Sequence, residues 1–153
     1  AEVFLSYSSP SQQKHAFEIW TSYSLNDYYF HNYSKDNVNY SGKRLTGVSP
    51  NNASAGLDFS LQSGLYIRTT CSYVDHLPLN DANTEYAKEY WLLSARAGYQ
   101  LKKESYQLEL FIAGDNLLNE IYSLGNDLNA AGGRYYNTAA ERNFTVGLRC
   151  GLN

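Results

Sequence analysis

The dominant feature of this sequence is a two-residue alternation of apolar and polar side chains, which recurs in runs of roughly ten residues. Such alternation is typical of β-strands, because successive side chains of a strand point to opposite faces of the sheet. Gly, Asn, Ser and Pro bound the runs, as expected for turns. We therefore predict an all-β fold whose sequential strands pair as an antiparallel meander. Its seven or so strands are predicted near residues 1–8, 15–29, 52–62, 64–76, 89–102, 105–117 and 140–152.

The predicted sheet has one apolar and one polar face. The apolar face carries no charge along its length and includes Leu57, Leu93, Leu110 and Val146. The opposite face is dominated by Ser, Gly and Thr, with a few ionic side chains that neighbouring strands could pair. The charged candidates on this face are Glu18, Asp58, Arg68, Arg96, Glu109 and Arg149.

Long and short connections alternate along the chain. The connections at 30–51, 77–88 and 118–139 are long, and those near 9–14, 62–64 and 102–105 are short, so one end of the sheet carries all the long loops. Aromatic residues gather toward this end. They include Tyr28, Tyr29, Phe30, Tyr86, Tyr90, Trp91, Tyr122, Tyr135 and Tyr136. Both features are typical of transmembrane β-barrels, with their uneven loops and aromatic girdles.

Composition separates two kinds of barrel. Charged residues make up 18% of the 153 residues, below the ~25% of soluble domains, and aromatic residues make up 15%. A soluble up-and-down barrel that binds a small apolar ligand would show the same alternation. However, its water-facing side would usually carry interspersed Lys and Glu for solubility, whereas this polar face is dominated by Ser, Gly and Thr with a few Arg. The composition therefore favours a membrane barrel, with the soluble barrel as the alternative.

The charge pattern and the strand count place further limits on function. The net charge of −3 is not concentrated in a run, so nucleic-acid binding is not expected. Bacterial single-chain outer-membrane barrels have an even number of strands, whereas about seven are predicted here. An open sheet in lipid would leave edge N–H and C=O groups unsatisfied. We therefore expect the chain to be a fragment of a larger barrel, or to self-associate through its sheet edges.

Four sequence segments, in this order, resemble the TonB-dependent outer-membrane receptors. The first is Gly42-Lys43-Arg44-Leu45-Thr46-Gly47-Val48-Ser49-Pro50, a loop that leads into a strand. The others are Tyr90-Trp91-Leu92-Leu93-Ser94-Ala95-Arg96-Ala97-Gly98-Tyr99, Asp115-Asn116-Leu117-Leu118-Asn119-Glu120-Ile121-Tyr122 and Arg142-Asn143-Phe144-Thr145-Val146-Gly147-Leu148. The resemblance covers residues from about 42 to the C-terminus, and the first forty only through their strand pattern.

This resemblance implies that residues 1–153 are the C-terminal portion of a 22-stranded barrel in the outer membrane of a Gram-negative bacterium. It also implies a plug domain absent from this chain, and contact with TonB through an absent N-terminal region. The implied activity is energised uptake of a scarce ligand such as a siderophore, cobalamin or a glycan. The polar-face charges would then line the lumen, toward the plug or a ligand path, although an interstrand charge ladder is the simpler interpretation. The candidates for ligand contact in the extracellular loops are Tyr28, Tyr29, Tyr40, Arg134, Tyr135, Tyr136 and Asn137.

Catalytic, metal-binding and disulfide chemistry find little support in the sequence. Asp75-His76 lies at the rim of the predicted barrel, where an outer-membrane enzyme could place acid and base groups, but no nucleophile or second acid can be placed beside it. His15 and His31 are predicted to be exposed and too far apart to share a metal. Cys71 and Cys150 fall on nonadjacent strands and are predicted to be free thiols. We expect no cofactor and no enzymatic activity.

Overall fold

The computed structural model describes residues 1–9 and 15–152, which form an all-β structure. In chain order its strands are β1 (Glu2–Ser8), β2 (His15–Leu25), β3 (Ser34–Lys35), β4 (Val38–Asn39), β5 (Asn51–Leu61), β6 (Leu65–Val74), β7 (Leu77–Pro78), β8 (Tyr86–Ala87), β9 (Tyr90–Lys102), β10 (Tyr106–Asp115), β11 (Ser123–Asn126), β12 (Tyr136–Thr138) and β13 (Asn143–Leu152). A 3₁₀ turn, Ala131–Gly133, is the helical element of this part of the chain. Over these residues, no helix has both the length and the apolar character needed to cross a membrane.

Seven long strands form one antiparallel sheet in the order β1-β2-β5-β6-β9-β10-β13. Each long strand pairs with the long strand next in the chain, so the predicted meander is confirmed. The register keeps like faces together. Ile19 lies opposite Leu57, and Leu110 lies opposite both Tyr99 and Leu148.

The long connections all lie at one end of the sheet, as predicted. We call residues 26–50 loop A, residues 75–89 loop B and residues 116–142 loop C. Each loop contains one short pair of strands, respectively β3-β4, β7-β8 and β11-β12. Residues 62–64 and 103–105 form the short connections at the other end. Of the third predicted short connection, residues 10–14 lie outside the described part of the chain.

The second strand is shorter than predicted and ends at Leu25 rather than at residue 29. Beyond this point the backbone pairs within loop A. Asn26 N–H donates to Pro50 O at 2.7 Å, and Leu45 N–H donates to Tyr28 O at 3.0 Å. Because these bonds replace the ladder to β5, Tyr28 and Tyr29 belong to the loop, as does the exposed His31.

The most deeply buried apolar side chains lie among the loops, because the sheet is a single layer in which each long strand contacts its sheet neighbours. Pro78 and Leu79 of loop B are fully buried. By contrast, apolar-face residues of the sheet are exposed, including Leu110 at 58% and Val146 at 73%. The sheet therefore presents an uncovered apolar surface on one side.

Candidate functional site

The polar face of the sheet carries a network of ion pairs that crosses five strands. Arg68 Nε lies 3.2 Å from Asp58 Oδ1 on the neighbouring strand. Glu109 forms ion pairs with Arg96 at 2.6 Å and with Arg149 at 3.5 Å, one on each side of β10. Such cross-strand pairs of opposite charge stabilise a sheet. Five of the six predicted polar-face charges therefore take part in cross-strand ion pairs, which fits the charge-ladder interpretation.

Tyr66 lies at the centre of this network. Its hydroxyl donates to Glu109 and accepts a hydrogen bond from Arg96 Nε at 3.0 Å. The Arg68 guanidinium lies 5.0 Å from the centre of the Tyr66 ring. Tyr66 and Glu109 are only 7% and 6% exposed, so long neighbouring side chains cover them. The network thus buries a carboxylate whose charge is satisfied by two arginines and a hydroxyl.

One row of this face sets like charges directly opposite each other. Glu18 lies opposite Asp58, and Arg68 lies opposite Arg96. Like charges at directly opposite positions destabilise a sheet. The arginine pair is offset by Asp58 and Glu109, whereas Glu18 is exposed and extends the acidic end of the row. The row therefore changes sign across the sheet, from acidic at β2 and β5 to basic at β6 and β9.

Three aromatic residues that cover glycines on the polar face were missed by the sequence analysis. They are Trp20, Tyr66 and Phe111, and each lies opposite a glycine of a neighbouring strand. Those glycines are Gly56, Gly98 and Gly147, where an added Cβ would lie within 3 Å of the aromatic side chain. Aromatic side chains that cover glycines stabilise strand pairs. For these three residues, the signal in the sequence was a glycine at the paired position of the neighbouring strand.

The long loops pack against one another around Asp81 of loop B. Its carboxylate accepts hydrogen bonds from Thr46 at 2.6 Å, from Tyr33 at 3.2 Å and from Asn129 at 3.0 Å. Thr46 and Tyr33 belong to loop A, and Asn129 belongs to loop C. Burial raises the pKa of Asp81, but the three hydrogen bonds outweigh it and leave the pKa below its ordinary value. Sequence analysis missed this cluster because no spacing rule brings residues of three different loops together.

The predicted ligand-contact residues of the long loops lie in loop A and in loop C, and they make different contacts in each. In loop A, the Arg44 guanidinium lies 5.2 Å from the Tyr29 ring centre, and Tyr40 packs on Tyr33. In loop C, the Tyr136 hydroxyl lies 3.4 Å from Tyr86 O of loop B. Asn137 bonds Ser123 and Gly125 within its own loop. Tyr28, Tyr29, Arg134 and Tyr136 are exposed and Tyr135 is partly exposed, so their role in ligand contact stays a prediction.

Asp75 and His76 pair at the end of β6, where the fourth long strand meets loop B. His76 Nδ1 lies 2.6 Å from Asp75 Oδ1, and Asn51 Nδ2 donates to Asp75 Oδ2 at 2.6 Å. Burial raises the pKa of Asp75, but the hydrogen bonds from Asn51 and His76 outweigh it, so the pKa is lowered. Ser49 Oγ donates to the backbone oxygens of Asn51 and Asp75, which ties this hydroxyl to the loop structure.

The remaining candidates carry little chemistry. Cys71 and Cys150 are both free, and Cys150 is exposed on the apolar face. His15 is exposed on β2. In residues 1–9 and 15–152, no three His, Cys, Asp or Glu side chains are grouped so that they could hold a metal ion.

Comparisons with known proteins agree with this architecture. The family model described as "TonB dependent receptor-like, beta-barrel" matches residues 2–117. The match includes the first forty residues, for which the sequence offered only a strand pattern. The siderophore receptor PiuA from Acinetobacter baumannii has a similar structure, with a TM-score of 0.70 and 19% sequence identity over 99% of this chain. This chain spans 21% of PiuA, and the similarity shows a shared fold.

The family match covers most of the chain, and the meander, the loop asymmetry and the two-sided sheet are what a receptor barrel requires. The chain therefore belongs to the TonB-dependent receptor family, a family of outer-membrane transport receptors rather than of enzymes.

Proposed function

We propose that this chain is the C-terminal barrel portion of an outer-membrane transport receptor of a Gram-negative bacterium, which takes up a scarce ligand with energy supplied through TonB. The observation that carries the proposal is the unequal exposure of the two sheet faces. Val146 and Leu110 project from the sheet uncovered, whereas Glu109 is buried within the polar-face network. This arrangement suits lipid on the apolar side and an aqueous lumen on the other. A soluble barrel with a dry apolar interior would need the opposite facing.

Each part of the chain then has a role in the receptor. Glu18, Asp58, Arg68, Arg96, Glu109 and Arg149 face the lumen, where a plug domain or a ligand path lies. Loops A, B and C lie on the extracellular side and contribute to ligand recognition. Other parts of the receptor supply the remaining strands, the plug and the segment that contacts TonB. The ligand is a siderophore, cobalamin or a glycan, and PiuA's description as a siderophore receptor makes a siderophore the first candidate to test.

Cysteine labelling of the intact receptor in outer-membrane vesicles tests the facing of the sheet. Ile112 and Ala113 are adjacent in β10 and lie on opposite faces. With Cys71 and Cys150 replaced by alanine, we expect a charged, water-soluble maleimide to label Ala113→Cys but not Ile112→Cys until detergent is added. Equal labelling of Ile112→Cys before and after detergent would contradict the proposal. Recovery of the receptor in the soluble fraction without detergent would favour the apolar-ligand barrel instead.

A further inference from the structure

Backbone and side-chain hydrogen bonds join loop B to both of its neighbours. Gly47 N–H of loop A donates to Pro78 O at 2.8 Å. The Asn83 side chain accepts from Arg44 N–H at 2.6 Å and donates to Arg44 O at 3.0 Å, as a backbone strand partner would. On the other side, Asn129 N–H of loop C donates to Leu79 O at 2.9 Å. Loop B therefore lies between loops A and C and bonds to both.

Asp81 adds a buried charge to this junction. It is 8% exposed and follows the fully buried Leu79 by two residues. Its carboxylate accepts from loops A and C as described above, and its own N–H donates to Asn129 Oδ1 at 2.9 Å. Hydrogen bonds to an ionised acceptor are about twice as strong as neutral ones. A single side chain of loop B thus makes the strongest polar contacts of the junction with both neighbours.

The junction also fixes an exposed surface that crosses from loop B to loop C. Tyr86 lies opposite Pro78 in the β7-β8 hairpin, whose tip carries Asp81. The Tyr136 hydroxyl reaches Tyr86 O, and the His76 ring centre lies 5.6 Å from the Tyr86 ring centre. His76, Tyr86 and Tyr136 are all exposed. Their relative placement depends on how loop B sits against loop C.

We propose that Asp81 is a positioning residue that holds the three loops as one preformed unit, and so sets the surface of His76, Tyr86 and Tyr136 that meets the ligand. This inference rests on the proposed receptor function. Rings with polar edges suit a small ligand that offers a flat ring face and hydrogen-bonding groups. A surface fixed before binding avoids the entropy cost of ordering loops around the ligand.

The stability of the loop junction should decrease at low pH. The pKa of Asp81 in the folded chain lies below the ordinary carboxyl value of 3.8. Its stabilisation is therefore fully present above that value and is lost as the pH falls through the folded pKa. Lys35 is the cation that acts on this carboxylate, and Tyr33, Thr46 and Asn129 are the neutral groups that face it. Acid should thus loosen the contacts of Asp81 with loops A and C.

Hydrogen exchange of the intact receptor in detergent micelles tests the proposal. We compare the wild type with Asp81→Ala and Asp81→Asn, and use Asp36→Asn as the control. Asp36 is an exposed carboxylate of loop A with φ of 52°, a conformation that Asn also tolerates. In Asp81→Ala we expect exchange to rise about tenfold at the amides of Gly47 and Asn129, which lie in the other two loops. Exchange of the β9 and β10 amides should stay unchanged in Asp81→Ala. In the Asp36→Asn control, exchange should match the wild type throughout.

The pH dependence of amide protection shows whether Asp81 holds the loops through its charge or only through the packing of its side chain. After correction for intrinsic rates, wild-type protection at Gly47 and Asn129 should be constant above the ordinary carboxyl pKa and should fall as the pH is lowered below it. Asp81→Asn keeps the side-chain shape and should show a flat profile, with protection between those of the wild type and Asp81→Ala. Unchanged loop exchange in Asp81→Ala, or the same pH profile in Asp81→Asn, would overturn the proposal. Neither result would alter the cysteine labelling, so failure of the positioning role is distinguishable from failure of the receptor assignment.

Discussion

At the scale of single residues, the polar face depends on aromatic rings placed over glycines. The Phe111 ring covers Gly147, and the Arg96 guanidinium lies 3.5 Å from the Phe111 ring centre. The glycine removes a side chain so that the ring can lie flat on the neighbouring strand. The ring in turn supports the arginine that pairs with Glu109. A face that looks merely small and polar in sequence is therefore packed through these contacts.

Gly98 provides the sharpest test of this packing. An added Cβ would lie 2.6 Å from the Tyr66 hydroxyl and 2.7 Å from the backbone oxygen of Leu110, which cannot move aside easily. We expect Gly98→Ala to destabilise the receptor by about 1–3 kcal/mol, as overpacking does. The measurement is the urea-unfolding midpoint in phospholipid vesicles. Gly151→Ala is the matched control, because nothing lies within 4 Å of its added Cβ. Equal effects of the two substitutions would show that the Tyr66 contact is unimportant.

At the scale of elements, Asn and Asp residues end the long strands and shape the loops. Asn116 directly follows β10 with φ of 49°, and it is only 4% exposed. Its side chain accepts from Glu120 N–H at 2.9 Å and donates to the carbonyls of Glu120 and Ala140. It therefore closes the turn that begins loop C and ties that turn to the segment leading into β13. In the Asp115-Asn116-Leu117 motif of the sequence, Asn116 thus has the structural role of closing this turn.

Substitution of Asn116 should separate backbone strain from lost hydrogen bonds. Asn116→Ala loses the side-chain bonds and also places Ala in the left-handed region, whereas Asn116→Gly loses only the bonds. We expect Asn116→Ala to cost about 1–3 kcal/mol of unfolding free energy, with Asn116→Gly costing less. Proteolysis of loop C in vesicles should increase in the same order. If the glycine variant were the less stable, backbone strain would not explain the choice of Asn.

The sequence predicted the strands far better than the loops. Alternation locates a strand such as β6 to within two residues, because each of its side chains must match the solvent on its side of the sheet. Loop packing has no such period. Asp81 meets Thr46 and Asn129 only because three connections converge at one end of the sheet. Because loop packing has no period, the sequence predicted Tyr136 as a single ligand-contact residue and did not predict its contact with Tyr86.

At the scale of the whole molecule, the two faces of the sheet are suited to different surroundings, the apolar face to lipid and the polar face to water. Adjacent residues of β13 show the contrast, because Val146 lies on the apolar face and Thr145 on the polar face. Both residues are exposed in this chain, so local packing does not decide which substitutions they accept. The surrounding medium decides, and this makes the pair a direct probe of barrel orientation.

We expect Val146→Arg to destabilise the inserted receptor by about 2–4 kcal/mol if residue 146 lies near the bilayer midplane, because a lipid-facing arginine must be placed in hydrocarbon. Thr145→Arg should cost much less, since lumen-facing positions remain wet. Unfolding in phospholipid vesicles measures both values. A larger penalty for Thr145→Arg than for Val146→Arg would mean that the apolar face points away from lipid.

The strand order has a consequence for how such a wall is built. Each of the five inner long strands, β2, β5, β6, β9 and β10, hydrogen-bonds to the long strand that precedes it in the chain and to the one that follows it. These five strands therefore need no partner from a distant part of the sequence. Contacts between sequence neighbours keep loop-closure entropy small and favour rapid folding. Assembly can therefore proceed one hairpin at a time, because the exposed edge of each paired strand is the template to which the next strand forms hydrogen bonds.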